Sequence, residues 1–398
     1  MNEKLAEWRA EEFGKHKKFE MVDPFNEGNT VSGWIGVTKG NYGNLLITQV
    51  NEEETFQTIH TTPKISYPFD RNGKWTLPPV GMMASYEKLD GTNIFMFRYE
   101  YNGEQYTSYK TRLQPFIQNG YFGAFLDMWK QMLNNYPRIP TLFEVAIPKG
   151  SSISPKPLTG FSFELYGSLN KHLIQYDVPL DTALLFAMRE DEIVPLYELS
   201  HKVKSDVVPF AGIQLAAQRY DDYENLYKEE QIVMEEDIQD VGENEGETFT
   251  GDEGQIWYVC LEDGTTKMFK CKPESIESIH WEASSPIIHR NTIRTTAYNA
   301  AENSGKTNLF STTKELLLEE FSQKKIYDST ARIHKIVSEV SEDLDRRVAV
   351  REWIEEEKID VKTTELPTIM RTLSPHFKRD EMTRVYNITK EMKELYGV

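Results

Sequence analysis

Residues 85–93 read Ser85-Tyr86-Glu87-Lys88-Leu89-Asp90-Gly91-Thr92-Asn93, and the rest of the chain is interpreted around them. Apolar residues flank this stretch at 82–84 and 94–97, and Asp90-Gly91 is a pair that favours a tight turn. We therefore predict a strand, a turn and a second strand, joined as a hairpin. Lys88 is then either a nucleophile that faces a pocket or an ordinary solvated lysine beside the turn.

The composition is typical of a chain with two or three folded domains. It has 398 residues, of which 39% are hydrophobic and 12% aromatic, which is enough for sizeable cores. No apolar run reaches the roughly 18 residues of a membrane-spanning helix, and the charged N-terminus does not resemble a signal peptide. The two cysteines, Cys260 and Cys271, are too few for a disulfide framework or a zinc site. We therefore expect a cytoplasmic protein with no membrane partner.

The formal net charge of −18 is concentrated in one segment. Between Asp221 and Asp263 there are 16 acidic residues and one basic residue, Lys228, so this window alone contributes −15. The remainder of the chain is close to neutral and can present a local basic surface to a nucleic acid. We interpret the acidic window as a solvated insertion, which does not exclude a nucleic-acid partner.

The apolar periodicity changes from strand-like to helix-like along the chain. Helices are predicted over 3–20, 121–135, 211–238, 314–325, 331–342, 345–358 and 382–396, and strands over 33–37, 44–50, 55–59, 98–101, 105–110, 141–147, 161–166, 173–176, 183–188, 255–261 and 267–272. This pattern predicts an α+β fold with largely antiparallel sheets over residues 1–285, including a strand-rich extension at 1–80. An all-helical domain over 286–398 follows.

A buried carboxylate is predicted at Glu164. It lies in an apolar, aromatic strand, and strand alternation places it on the same face as Ser162 and Tyr166. A carboxylate on a half-buried sheet needs a partner, so Glu164 is either a functional group or half of a structural ion pair. Glu144, between Phe143 and Val145, is a rival with the same appearance.

Two further motifs place charged residues in the strand pair predicted at 253–272. Glu253-Gly254 opens an apolar strand, where a carboxylate can hold a hydrated metal ion but is more often a turn residue. Lys270 and Lys272 alternate on one face of the next strand. Like charges side by side on a sheet are unfavourable unless an anion lies between them, and a phosphate is the obvious anion.

Taken in order, these features resemble the covalent nucleotidyltransferase superfamily, which comprises ATP-dependent polynucleotide ligases and messenger-RNA capping guanylyltransferases. The matching segments are Lys88-x-Asp90-Gly91-x-Asn93, Glu164 within Phe-Glu-Leu-Tyr-Gly, residues 184–188, Glu253-Gly254 and Lys270-x-Lys272. The resemblance implies an antiparallel-sheet nucleotidyltransferase domain of the ATP-grasp-like ligase type.

The segment after Lys272 distinguishes branches of that superfamily. DNA ligases and capping enzymes usually continue with a strand-rich OB domain, whereas about 125 helical-looking residues follow here. In this respect the chain is similar to the bacteriophage-type RNA ligases of tRNA repair, which have an all-helical C-terminal domain. The resemblance therefore implies a monomeric, phage-encoded enzyme of the host cytoplasm. Its substrate would be RNA with 5′-phosphate and 3′-hydroxyl ends, for example nicked tRNA, recognised through the helical domain.

The resemblance also implies residue roles. Lys88 would form lysyl-AMP from ATP, assisted by Lys270 and Lys272, while Glu253 and Asp90 would hold Mg²⁺, with Mn²⁺ as an alternative. The implied nucleotide contacts are Glu87, Lys88, Asn93, Lys110, Arg112, Glu164, Phe186, Glu253, Lys270, Lys272 and, for the β- and γ-phosphates, Lys64.

Three other functions are alternatives to an RNA ligase. A DNA ligase is the nearest enzymatic alternative, and a non-catalytic RNA-binding protein would leave Lys88 incidental. A phosphate-loop kinase is suggested by Ser304-Gly305-Lys306-Thr307, but the motif requires a glycine where Ala300 stands. We reject the kinase on that ground.

Overall fold

The computed structural model describes residues 16–395 except for 37–42, 71–72, 120–124, 146–155, 171, 202, 242–248, 274, 277–287, 289, 305, 319–320 and 322. The chain divides into two compact units. One comprises Met1–Ile117 and Trp129–Glu274, and the other comprises Gln118–Met128 and Ser275–Val398. The predicted domain boundary at residue 285 lies outside the described residues and stays a prediction.

The described part of the first unit is built mainly from strands. Those before residue 120 are β1 (His16–Val22), β2 (Thr30–Gly36), β3 (Leu45–Val50), β4 (Glu53–Ile59), β5 (Val80–Glu87), β6 (Thr92–Tyr101) and β7 (Glu104–Lys110). The later ones are β8 (Gly160–Tyr166), β9 (Asp181–Arg189), β10 (Glu192–Pro195), β11 (Ile213–Gln218), β12 (Gln239–Asp240), β13 (Phe249–Thr250), β14 (Gln255–Leu261) and β15 (Thr266–Cys271).

All the strand pairings within named strands are antiparallel, and they form three larger sheets. The first sheet has the order β1-β2-β3-β4, the second β10-β9-β8-β6-β7 and the third β11-β5-β14-β15, while β12 and β13 form a separate pair. The predicted strand-rich α+β architecture is therefore confirmed. The helix predicted over 3–20 is wrong from residue 16 onward, because β1 pairs with β2 and directs Phe19 into the core.

The turn at Asp90-Gly91 does not close a hairpin, so that prediction is wrong. Strand β5 belongs to the third sheet and β6 to the second, and the turn crosses from one sheet to the other. The backbone passes so close to β8 there that a Cβ on Gly91 would lie 2.2 Å from the carbonyl oxygen of Leu165. An Asp-Gly pair specifies a turn but does not specify which strands pair on either side of it.

Helical segments of this unit pack against the second and third sheets. They are the part of α1 (Phe125–Asn135) from Trp129 onward, α2 (Leu142–Val145), α3 (Leu196–Leu199) and α4 (Tyr223–Asp237). Trp129 of α1 is fully buried 5.5 Å from the ring of Phe163 on β8, and Tyr227 of α4 lies 5.5 Å from the ring of Trp257 on β14. Each fully buried aromatic side chain stabilises the fold by roughly 1.5–3 kcal/mol.

Three sequence predictions in this unit are corrected. The helix predicted over 211–238 splits into strand β11 and helix α4, because 213–218 extends the third sheet beside β5. The strand predicted over 141–147 is a 3₁₀ turn followed by α2 as far as Val145, and its Glu144 is an exposed partner of Arg98. The strand predicted over 173–176 is a loop with one bridge, between Ile174 and Phe249.

Among the described residues of the second unit, all the regular secondary structure is helical. Its helices are α5 (Arg290–Ser304), α6 (Leu309–Leu317), α7 (Gln323–Asp328), α8 (Thr330–Glu356), α9 (Leu366–Leu373) and α10 (Met382–Leu395). Two predicted helices, 331–342 and 345–358, are one helix, since buried Leu344 continues the apolar stripe of α8 across the expected break. No helix among the described residues is long and apolar enough to cross a membrane.

Candidate active site

Lys88 lies where the third sheet meets the crossing turn. Its backbone N–H donates to the carbonyl oxygen of Gly254 at 2.8 Å, which places the lysine beside the start of β14. Gly254 has a φ of +143°, and a Cβ there would lie 2.2 Å from the carbonyl oxygen of Cys271. Only glycine therefore lets the segments that carry Lys88, Glu253 and Lys272 approach one another this closely.

The carboxylate of Glu253 is shared by two lysines. Its Oε2 accepts a hydrogen bond from the ammonium of Lys88, and its Oε1 accepts one from Nζ of Lys272 at 2.5 Å. The side chains of Glu253 and Lys272 are only 5% and 4% exposed, whereas that of Lys88 is 21% exposed. Lys88 is therefore the member of this triad that an incoming substrate can reach.

We call Lys88, Glu253 and Lys272 the triad, and their charges determine the protonation states of Glu253 and Lys88. Burial by itself would raise the pKa of Glu253, but the ammonium groups of Lys272 and Lys88 outweigh burial and hold that pKa far below its ordinary value. Burial by itself would lower the pKa of Lys88, but Glu253 and Asp90 raise it above its ordinary value. Lys88 is thus an ammonium in the free protein and must lose a proton before it can act as a nucleophile.

The second sheet supplies a polar cluster on one face. Asn93 on β6 is paired in register with Glu164 on β8. The Asn93 amide donates to the Ser162 hydroxyl at 2.8 Å, and its oxygen accepts from the Thr62 hydroxyl at 2.8 Å. Strand alternation predicts the shared face of Ser162 and Glu164, whereas nothing in the local sequence marks Thr62, which reaches the cluster from an extended connection.

Glu164 is the most perturbed carboxyl group of this face. Burial raises its pKa to about 8, and neighbouring Lys88 only partly opposes the rise. Glu164 is therefore largely protonated at neutral pH, in contrast to Glu253. Two carboxyl groups with opposite protonation states are a frequent property of active sites.

This difference predicts a pH-dependent stability. Because the pKa of Glu164 is higher in the folded state than its ordinary value of 4.5, its contribution to the free energy of unfolding is fully present below about pH 4.5. The contribution is lost as the pH rises through about 8. Chemical denaturation should therefore show that the free energy of unfolding declines less between pH 5 and 8 in Glu164→Gln than in wild type. Parallel declines would contradict the predicted protonation of Glu164.

Two of the predicted nucleotide contacts, Lys110 and Phe186, are buried. Lys110 is fully buried, and its Nζ donates to the carbonyl oxygens of Thr111 at 2.7 Å and Arg112 at 3.3 Å. Burial and the nearby Arg112 lower the pKa of Lys110 to about 7. Phe186, on β9 opposite Ser162, is 1% exposed, so a base can contact its ring only after its neighbours move.

Three further predicted contacts, Glu87, Lys270 and Lys64, lie on or next to the third sheet. The Glu87 side chain packs against the backbone of Gly212, and burial, together with Asp252, raises its pKa. The ammonium of Lys270 lies 4.4 Å from the ring centroid of Tyr67. Lys64 lines a cavity of about 160 Å³ with Lys267 and Phe269, among other residues. These roles in nucleotide binding stay predictions.

The predicted metal-binding carboxylates are occupied by protein donors. Both oxygens of Glu253 are bound by ammonium groups, and Oδ2 of Asp90 accepts the backbone N–H groups of Leu173 and Ile174. Within the described ranges, no group of three histidine, cysteine or acidic side chains is arranged to hold a metal ion. Glu253 fits a cation best, since the Oε2 atom now bound to Lys88 becomes available if Lys88 loses its charge.

No protein-family model and no curated protein matches this sequence. Solved structures are similar at low identity. An archaeal ATP-dependent RNA ligase is 14% identical with a TM-score of 0.44, and the similarity covers 85% of this chain and 74% of that one. A putative ATP-dependent DNA ligase from Aquifex aeolicus is 15% identical, with a TM-score of 0.45 and coverages of 95% and 89%. An RNA ligase from Naegleria gruberi, solved with pyrophosphate, is 15% identical with a TM-score of 0.35 and covers 51% of this chain and 53% of that one. Similarity at this level does not assign the chain to a family, so a functional assignment depends on the Lys88–Glu253–Lys272 triad and its surroundings.

Proposed function

We propose that the protein is an ATP-dependent RNA ligase that joins 5′-phosphate and 3′-hydroxyl ends through a covalent lysyl-AMP on Lys88. The observation that supports this proposal most strongly is the triad, in which an accessible lysine shares a buried carboxylate with a second, inaccessible lysine. Lys88 also lies on rigid sheet backbone beside the Glu253-Gly254 segment. This arrangement suits an amine that attacks a phosphate and is then regenerated.

The reaction begins when the Lys88 ammonium loses a proton to water and the resulting amine attacks the α-phosphate of ATP with its nitrogen lone pair. A nitrogen–phosphorus bond forms, and the bond from the α-phosphorus to the bridging oxygen breaks as pyrophosphate leaves. The RNA 5′-phosphate next displaces the lysine to give an adenylylated end. A 3′-hydroxyl then attacks that phosphate, loses its proton and expels AMP.

The surrounding residues have distinct parts in this scheme. Loss of the Lys88 charge leaves Lys272 as the cation on Glu253, positioned to stabilise negative charge on the transferring phosphate. Protonated Glu164 can donate a hydrogen bond to a ribose oxygen, and the Asn93 amide, whose nitrogen donates to Ser162 and to the carbonyl oxygen of Phe163, supports the same face of the second sheet. Glu253 would hold Mg²⁺, which, when bound, neutralises charge on the phosphates. Asp90 fits a metal less well, because its Oδ2 already accepts two backbone N–H groups.

RNA is proposed as the substrate because of the helical second unit, whose helices match the type of C-terminal domain that the sequence resemblance implies. We further propose a monomeric, cytoplasmic enzyme that repairs nicked RNA such as tRNA. A DNA ligase is the second candidate, since the charged side chains of the triad suit a phosphate, which RNA and DNA share.

A sealing assay tests the proposal. The protein is incubated with ATP, Mg²⁺ and, separately, a nicked RNA hairpin loop, nicked duplex RNA and nicked duplex DNA, each with 5′-phosphate and 3′-hydroxyl ends. We expect ATP-dependent sealing of RNA at a rate at least about tenfold above that of DNA. Faster sealing of DNA would favour the DNA ligase, and RNA binding without any sealing would favour the non-catalytic function.

A further inference from the structure

Asn170 and residues 172–176 contact the turn at Asp90-Gly91, which follows Lys88, and we call them the clamp loop. Oδ2 of Asp90 accepts the backbone N–H groups of Leu173 at 2.6 Å and Ile174 at 2.8 Å. In the opposite direction, the backbone N–H of Asp90 donates to the Tyr176 hydroxyl at 2.7 Å. Three hydrogen bonds therefore join the turn to a segment more than 80 residues away in sequence.

The clamp loop also holds the residue that follows the turn. The hydroxyl of Thr92 lies 3.1 Å from the amide nitrogen of Asn170 and 3.3 Å from Nε2 of His172. The same Asn170 amide donates to the carbonyl oxygen of Leu165 at 2.6 Å, which fixes the loop to β8. The N-terminal part of the clamp loop is thus attached both to β8 and to Thr92, the first residue of β6.

A third set of bonds connects the clamp loop to the segment that leads to Glu253. The N–H of Gln175 donates to the carbonyl oxygen of Phe249 at 2.8 Å, and the N–H of Phe249 donates to that of Leu173 at 2.9 Å. Phe249 begins β13, four residues before Glu253. The clamp loop therefore contacts both the turn that follows Lys88 and strand β13, which precedes Glu253.

We propose that the clamp loop sets the position of Lys88 for attack and that Tyr176 is the positioning residue at its centre. This inference rests on the proposed function. Tyr176 supplies a hydroxyl acceptor to Asp90, two residues beyond the nucleophile, so it acts on Lys88 through the backbone of the turn. Since a displacement of about 1 Å in a reacting group can cost about a hundredfold in rate, loosening this turn should slow the chemical step. It should leave nucleotide affinity unchanged, because the polar cluster of the second sheet is not altered.

The test is Tyr176→Phe in the full chain, with the rate of covalent AMP attachment measured against ATP concentration. We expect the maximal rate to fall about tenfold and the half-saturating ATP concentration to stay within about twofold of wild type. Tyr136→Phe is the matched control, because it removes another 2.7 Å phenol bond, to Asp181, without touching the turn. An unchanged maximal rate in Tyr176→Phe, or an equal fall in Tyr136→Phe, would overturn the inference.

A second variant covers the case in which Tyr176→Phe does not fold. Thr92→Val keeps the side-chain volume and removes the hydroxyl contacts to Asn170 and His172. It should lower the maximal rate in the same way, again at constant half-saturating ATP, and an unchanged rate would count against the clamp loop. Wild-type protein that attaches no AMP would overturn the proposed function together with this inference. Labelled wild type with a fully active Tyr176→Phe would overturn the inference alone.

Discussion

Replacing Lys88 by alanine is expected to abolish covalent attachment of AMP, a loss on the order of 10³-fold or more, as for other catalytic nucleophiles. Neither of the other two lysines of the motif is placed to substitute for it. The ammonium of Lys272 is 4% exposed and bound to Glu253, and that of Lys270 lies over the ring of Tyr67. The measurement is the rate at which α-labelled ATP labels the protein in the presence of Mg²⁺.

Two variants make this result specific. Lys88→Arg retains a cation that can pair with Glu253, so it should keep the wild-type melting temperature and still fail to label. Lys228→Ala removes an exposed lysine of α4 whose partner is Glu224, and it should label at the wild-type rate. Label that persists in Lys88→Ala would show that another residue is the nucleophile.

Replacing Glu253 by glutamine should have the largest effect on stability and should also remove activity. The substitution leaves the ammonium groups of Lys88 and Lys272 side by side with no counter-ion, and Lys272 is buried. Breaking a buried ion pair by removal of one partner costs about 3–5 kcal/mol. We therefore expect a reduced free energy of unfolding of that order at pH 7, together with loss of AMP attachment.

The pH dependence of that cost has a definite sign. The pKa of Glu253 is depressed in the folded state, so its stabilisation is present above its ordinary pKa and is lost as the pH falls towards the folded-state value. Wild type and Glu253→Gln should therefore converge in stability under acid conditions. Glu224→Gln on the surface of α4 is the control, since an exposed helical pair contributes about 0.3–0.5 kcal/mol. Equal losses in the two variants would show that Glu253 is not a buried partner of both lysines.

Local sequence patterns predict the charged residues that frame the site, because Glu253-Gly254 opens an apolar strand and Lys270 and Lys272 alternate in the next one. Their convergence with Lys88 is implied only by the family resemblance, since Lys88 and Glu253 are 165 residues apart and meet through the pairing of β5 with β14. The alternation of Lys270 and Lys272 predicts a phosphate between the two ammonium groups. In the free protein the anion bound to Lys272 is the Glu253 carboxylate, which lies 19 residues earlier in the sequence and 2.5 Å away in space, while Lys270 lies over the ring of Tyr67.

The connections between sheets could not be predicted in this way. The Asp90-Gly91 turn resembles a hairpin turn, and only the long-range pairing of β5 with β14 shows that it crosses between sheets. The clamp loop contains strand-forming residues such as Ile174 and Tyr176, yet it forms only one bridge to a strand, and the Ile174 amide and the Tyr176 hydroxyl bind Asp90. Lys110 is paired with Phe95 and therefore lies on the same face of the second sheet as Asn93, but its ammonium donates to the neighbouring carbonyl oxygen of Thr111. Such contacts depend on tertiary structure and leave no periodic signal.

The central claim is that Lys88 is the residue that becomes adenylylated. Its most direct test is peptide mapping by mass spectrometry of wild-type protein after incubation with ATP and Mg²⁺. We predict a single modification by one AMP, attached through an acid-labile bond to the peptide that contains Lys88. A modification on a different lysine, or protein that carries no AMP while it seals RNA, would contradict the account.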